Sequence, residues 1–366
     1  MIKAKRDELL TPLAAVSGII ERRHTLPILS NVLIDASAPA VSFLATDIEI
    51  QITARSGLAA GKDGRALTVG ARKLLDILRA LPEDAEVNLQ QQDKRLLVRA
   101  GKSRFSLQTL PAEDFPRLAK ASGEAARFTL PQKALRRLLG LVQYAMAQQD
   151  IRYYLNGLLM VVEGGELKLV ATDGHRLAFA SLALDASLPR QEAIVPRKTV
   201  VELTKLLADS DEEVTIELAG TQASFAFGAI ELVSKLIDGK FPDYTRVIPT
   251  GHKNKLLAGR EPLRQALQRA AILSNEKFRG VRWVLTDGSL KIVSSNADQE
   301  EAQEEVEVKY SGDALDIGFN VNYLLDVLNN VPGGELECAF GDASSSALIS
   351  YASEKGFKYV VMPMRI

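Results

Sequence analysis

LKLVATD, residues 167–173, is the stretch from which the organisation of this chain can be read. Its apolar residues alternate as in a half-buried strand, and it ends in a small polar cluster suited to a turn. The pattern returns as VSFLATD at 41–47 and LKIVSSNAD at 290–298, so that Asp47, Asp173 and Asp298 stand 126 and 125 residues apart. Three further landmarks keep the same order. Amphipathic helices are predicted over 8–20, 132–147 and 261–273, with apolar residues at i, i+3, i+4 and i+7. Shorter helices follow at 72–82, 197–209 and 322–332, where Lys73, Thr199 and Tyr323 are spaced by 126 and 124. A late strand with a proline behind it closes each copy at Pro116, Pro242 and Pro363.

A period near 125 residues is far longer than that of solenoid repeats and is the size of a domain. The chain of 366 residues is therefore expected to hold three tandem copies of one α+β domain, at 1–121, 127–244 and 245–366. Each copy should contain two helices and mostly antiparallel strands.

Charge sharpens this. The chain carries 45 Lys and Arg against 46 Asp and Glu, a net charge of −1 that excludes a globally basic nucleic-acid binder. The charge is segregated, however. The six helical segments 3–23, 72–81, 131–147, 197–207, 260–279 and 319–331 carry +2, +2, +3, +2, +3 and −1, a total of +11, and everything else carries −12. Basic helices can neutralise phosphates without reading sequence.

Chemistry is poorly represented. The single Cys338 and three histidines leave little for a metal centre or a disulfide framework, and neither a metal nor a cofactor is expected. Gly101-Lys102-Ser103 lacks the earlier glycine of a phosphate loop, position 96 being Leu96. Asp173-Gly174-His175-Arg176 admits two readings, an acid–base pair or a tight turn with its aspartate on backbone N–H groups. Gly174, His175 and Arg176 are peculiar to the second copy. No nucleophile completes a triad, and the chain is not expected to be an enzyme. The acidic run 298–307 reads either as a solvated strand or as a surface facing Arg95, Arg99, Lys102 and Arg104 of another copy. Pro363–Ile366 is expected on the surface behind a core strand at 359–362, and Trp283 in the core or at a pocket edge. The N-terminus carries five charges in its first eight residues and no apolar h-region, so the expected location is cytoplasmic.

The motifs HTLPIL (24–29), SRFSLQTLPAEDFP (103–116), QDIRYYLNG (149–157), ATDGHRLA (171–178), VPRK (195–198), SKLIDGKFPDY (234–244), ILSNEKFRGVR (272–282) and YVVMPMR (359–365) resemble the bacterial sliding-clamp family, the β subunits of DNA polymerase III. The resemblance runs over essentially the whole chain. It implies three clamp domains per chain, two chains closing head to tail into a ring around duplex DNA, and a tether for the polymerase. The implied partners are the polymerase III α subunit, the clamp loader, and other clamp-motif proteins such as translesion polymerases, ligase and mismatch-repair proteins. A diverged paralogue with altered partner or drug binding is the alternative.

By resemblance, Arg23, Arg72, Gln149, Tyr153, Tyr154, Arg197 and Lys198 match positions that face DNA. A partner-peptide pocket would be built from Arg152, Leu155, Thr172, Gly174, His175, Arg176, Leu177, Pro242, Arg246, Val247, Asn320, Tyr323, Val360, Met362, Pro363, Met364 and Arg365. At the subunit interface Lys73, Arg95, Arg104, Phe105 and Leu107 would meet Ile272, Leu273, Asp298, Glu300, Glu301 and Glu304.

Overall fold

A computed structural model describes residues 2–21, 26–59, 64–119, 121 and 125–366. These form two compact units, Met1–Ala134 with Lys198–Leu236, and Leu135–Arg197 with Ile237–Ile366. Six α-helices occur among the described residues: α1 (Arg6–Ser17), α2 (Ala71–Ala80), α3 (Gln132–Val142), α4 (Arg197–Leu206), α5 (Arg260–Ala270) and α6 (Val321–Asn330). They lie at the six expected places and are shorter than expected. The amphipathic pattern overran because α3 and α5 tighten into single 3₁₀ turns at Gln143–Ala145 and Ala271–Leu273. In α2, Ala71, Leu74, Leu75 and Leu78 are buried while Arg72, Lys73 and Arg79 stay exposed. That is the one-stripe burial a helix on a sheet requires.

The first unit is built on a twelve-stranded antiparallel sheet. At its middle, strand Ile50–Ala59 of the first copy pairs with Ile230–Lys235 of the second, with Ile52 opposite Leu232. The second unit repeats this crossing. Strand Arg176–Pro196 of the second copy pairs with Glu354–Val361 of the third in a seven-stranded sheet, with Leu177 opposite Val360. A further four-stranded sheet ends on Glu301–Glu307. Each crossing hands the open edge of one copy to the next, which satisfies backbone groups that would otherwise be bare.

The turn before each crossing strand is an Asx turn. Asp47 Oδ1 accepts the N–H groups of Glu49 and Ile50, and Asp173 Oδ1 accepts those of His175 and Arg176. In the third copy this role belongs to Asn296, whose Oδ1 accepts from Asp298 and Glu300, and not to Asp298 as the spacing suggested. The third turn is longer: the left-handed residue is Gln299, three past Asn296, whereas Ile48 and Gly174 directly follow their aspartates. A longer loop shifted the apparent register.

Trp283 is a core residue, 1% exposed and edge-on to Phe319 and Phe340. The last strand ends at Val361, so Met362 lies beyond it. The tail that follows is anchored, with Met364 N–H donating to Gly318 O at 2.8 Å. A Cβ at Gly318 would stand 2.4 Å from Met364 O and 2.7 Å from the Ile366 side chain. Gly318→Ala should therefore break the anchor, and hydrogen–deuterium exchange across 362–366 should become faster while exchange at the Trp283 strand is unchanged.

Candidate functional site

The second copy's turn sits at the mouth of a pocket of about 190 Å³ in the second unit. Leu177 and Val360, opposite each other in the strand crossing, form its floor together with Leu155. These join a buried apolar cluster with Phe241 and Tyr244. Pro242, Val247 and Met362 complete the apolar walls, the last two partly exposed. Thr172, Gly174, His175, Arg176 and Arg152 supply the polar rim. An apolar cleft with a few placed polar groups suits a short extended peptide bearing bulky apolar side chains.

Arg176 holds this rim in place. Its Nε donates to Asp173 at 3.1 Å, and its terminal nitrogens donate to Asp326 at 2.6 Å and to the Tyr144 carbonyl at 2.7 Å. The guanidinium also lies 4.5 Å from the Tyr323 ring centroid. Burial pulls against its charge, but Tyr359, Asp326 and Asp173 outweigh this and raise its pKa above the ordinary value. Gly174 is required by its backbone, and a side chain there would also displace the tip of Arg152. Its φ is +90°, and a Cβ there would come within 2.8 Å of the Arg152 guanidinium. Arg152 in turn donates to both oxygens of Asp150 and to the Asp173 carbonyl. Its hydrogen bonds hold the Asp150 carboxyl down at about 2. The acid–base alternative is not built: Asp173 spends its carboxylate on two backbone N–H groups and Arg176, and His175 stacks on Tyr323.

Profiles of the DNA polymerase III beta subunit N-terminal, central and C-terminal domains match residues 1–119, 129–243 and 245–365. The beta sliding clamp of Pseudomonas aeruginosa is 48% identical over 365 residues, 99% of each chain. That of Escherichia coli K12 is 48% identical over 362 residues, again 99% of each. The chain belongs to the DNA polymerase III beta subunit family, the sliding clamps. The P. aeruginosa clamp solved bound to griselimycin has a TM-score of 0.96 and 47% identity, covering 100% of this chain and 99% of that one. A Caulobacter crescentus clamp has a TM-score of 0.93 and 39% identity, covering 100% of each chain. The fold is thus three tandem clamp domains.

Other residues expected at the pocket stand around it rather than on its lining. Tyr323 buttresses His175 and Arg176, and its carbonyl accepts the Tyr359 hydroxyl. Asn320 caps α6 through Asn322 N–H, and the exposed Arg246 pairs with Asp243. Pro363, Met364 and Arg365 belong to the anchored tail. Conversely, Phe241, Tyr244 and Tyr154 line the pocket without having been expected there. Only the KFPDY motif hinted at the first two.

Among the expected DNA-facing residues, Arg23 lies outside the described residues. Arg72 and Gln149 are exposed, Gln149 with φ +54°, and Tyr153 is 56% exposed. Tyr154 instead turns into the pocket wall, edge-on to Tyr153, because strand Gly157–Thr172 starts just behind it. Arg197 is half-buried on the Met146 carbonyl, and burial lowers its pKa. Lys198 is held between Asp47 at 2.5 Å and Glu21 at 2.9 Å. Burial pulls the Lys198 ammonium down, but these hydrogen bonds outweigh it and the pKa is raised.

Of the expected interface residues, Lys73, Arg95 and Leu107 line one groove of the first unit. Arg104 is exposed and Phe105 half-exposed on that unit's strand Ser103–Leu110. In the second unit Ile272 is 75% exposed, and Leu273 follows it in the 3₁₀ turn. Asp298, Glu300 and Glu301 are exposed, while Glu304 is paired within the chain to Arg269 through both oxygens. Cys338 is fully buried, and burial pushes its thiol pKa up, which removes it from reactive chemistry.

Arg176→Met should destabilise the second unit by about 3 kcal/mol, since it leaves a little-exposed carboxylate without its cation. Urea denaturation followed by the Trp283 fluorescence checks this.

Proposed function

We propose that this chain is a sliding clamp: two copies close head to tail around duplex DNA, irrespective of sequence, and tether the replicative polymerase to it. The observation that carries this is the sharing of strand edges. Within the chain, the crossing strand after each of the first two turns pairs with the last strand of the next copy. The equivalent strand after the third turn, Glu301–Glu307, pairs only with Ser289–Ser295 among the described residues. The equivalent last strand in the first copy, Ser103–Leu110, meets the strand at 66–70 only through Thr109 and Leu110. Repetition of the same crossing between two chains would use both edges. The charges agree: the exposed Glu301, Glu305 and Glu307 on one edge would face Arg104 and Arg95 on the other, while Glu304 stays on Arg269 of its own chain. Ile272, Leu273, Phe105 and Leu107 would supply the apolar part.

The domain boundaries that go with this reading are 1–121, 127–244 and 245–366. The basic helices would face DNA phosphates, with Arg72, Gln149, Tyr153 and Arg197 as exposed or half-exposed contacts. The pocket would receive the clamp-binding segments of the polymerase III α subunit, the clamp loader and other DNA-processing proteins, one segment at a time. No bond is made or broken, and the working place is the cytoplasm.

Two outcomes test this reading. The protein in solution should have about twice the 39.9 kDa chain mass, and Leu107→Asp, which sets an acid against an acidic edge, should reduce it to one chain. Once loaded, the protein should stay on circular DNA and leave linear DNA by its ends. Equal retention on unblocked linear DNA would refute encirclement.

A further inference from the structure

The first strand crossing is built like the second, down to the elements that frame the pocket. Thr46 Oγ1 accepts the Ile48 N–H and donates to the Ile50 carbonyl, as Thr172 Oγ1 does with Gly174 and Arg176. Lys235 N–H donates to the Glu49 carbonyl at 2.9 Å, as Met362 N–H does to the His175 carbonyl. Leu33, Leu44 and Phe115 pack into one buried cluster, with Ile28 against it. One repeat of 126 later stand Leu159, Val170, Phe241 and Tyr154, all part of the apolar cluster at the pocket. The frame of a peptide pocket is therefore present twice in the chain.

The two frames differ where the pocket is hollow. The floor residue Leu177, opposite Val360, has as its counterpart Gln51, opposite Val233. The Gln51 side-chain oxygen accepts the Leu118 N–H at 2.9 Å. Leu118 holds the place of Tyr244 in the pocket wall. In the second copy the Tyr244 ring stacks on Phe179 at 5.8 Å, and a volume of about 190 Å³ stays open. In the first, the amide ties wall to floor. A second tie, Arg117 to Asp35 at 3.0 Å, holds the same segment, but its guanidinium is 54% exposed, so it adds little. At the rim Lys235 and Glu49 form an ion pair at 3.0 Å where the pocket has Met362 and His175. Covering such a pair with an apolar side chain costs its hydration.

We propose that the first crossing is a second site for the same kind of partner segment, held shut by Gln51. The frame is intact, so the site is closed by the side chain that spans it and not by loss of its walls. Closure leaves each chain with one open pocket, and partners must then compete for it rather than bind side by side. The proposal rests on the peptide reading of the pocket given above.

Titration calorimetry with a hexapeptide carrying Leu and Phe tests this. The unaltered chain should take one peptide, and Gln51→Leu combined with Lys235→Met should take two. The second should bind more weakly than the first, because Ile50 stands where Arg176 stiffens the rim. Gln51→Glu keeps an acceptor for Leu118 and should stay at one. A double variant that still takes one peptide overturns the proposal, as does Gln51→Glu taking two. An unaltered chain that takes none refutes the peptide reading of the pocket, and the second site with it. Hydrogen–deuterium exchange tests the tie without peptide. The Leu118 amide should be protected in the unaltered chain and exchange at least about fivefold faster in Gln51→Leu, the effect of losing about one hydrogen bond. Exchange of that amide at the rate of a free loop in the unaltered chain overturns the proposal whatever the variants do.

Discussion

An unpaired strand edge is the constraint on which this molecule turns. A row of free N–H and C=O groups invites pairing with whatever strand comes near, and proteins must cover it, blunt it or use it. Here the edge after each Asx turn passes to the last strand of the following copy, at 50–59 with 230–235 and at 176–196 with 354–361. A repeat built this way always has one edge left over at each end. The leftover edges are specified by charge, acidic on Glu301–Glu307 and basic around Arg95 and Arg104. Pairing between unlike edges is then favoured, and pairing of two acidic edges is opposed by like-charge repulsion.

The same turn that starts a crossing also makes the pocket. In the second copy Gly174 adopts a left-handed φ that lets the Arg152 guanidinium lie against the backbone. Arg176 then points inward, where Asp173, Asp326, the Tyr144 carbonyl and the Tyr323 ring satisfy it. A little-exposed guanidinium whose three nitrogens each donate a hydrogen bond is rigid, and rigidity lowers the ordering cost of binding. The first copy has Ile48 and Ile50 at the equivalent places and cannot build that clamp. Function thus enters as three side-chain changes on a turn the scaffold needs anyway.

The large organisation was legible because it is written in periodicity. Four landmarks in one order, three times over, give three domains, six helices and the basic sign of most of their outer faces. The finer placement was less legible, for reasons that differ case by case. Asp298 looked like the third turn aspartate because spacing tolerates a loop longer by two residues, while hydrogen bonding does not, and Asn296 takes the role. Phe241 and Tyr244 carry no polar signal, and an aromatic in a loop becomes a pocket wall only through packing on Leu155 and Leu177. Tyr154 and Tyr153 are adjacent in sequence, so no pattern could say which ring faces the pocket and which faces outward.

Lys198 shows why composition alone misjudges a charged surface. It adds to the +11 of the helical segments, yet its ammonium lies between two carboxylates that cancel it at short range. Phosphates along a duplex feel the local sum within roughly one Debye length, about 8–10 Å, and not the count over a helix. Exposed cations outside any ion pair among the described residues, such as Arg72, contribute more of their charge to that field; Lys198 contributes little. The near-zero net charge of the chain is therefore a balance between surfaces, and part of the basic side of that balance serves to hold the copies together rather than to attract DNA.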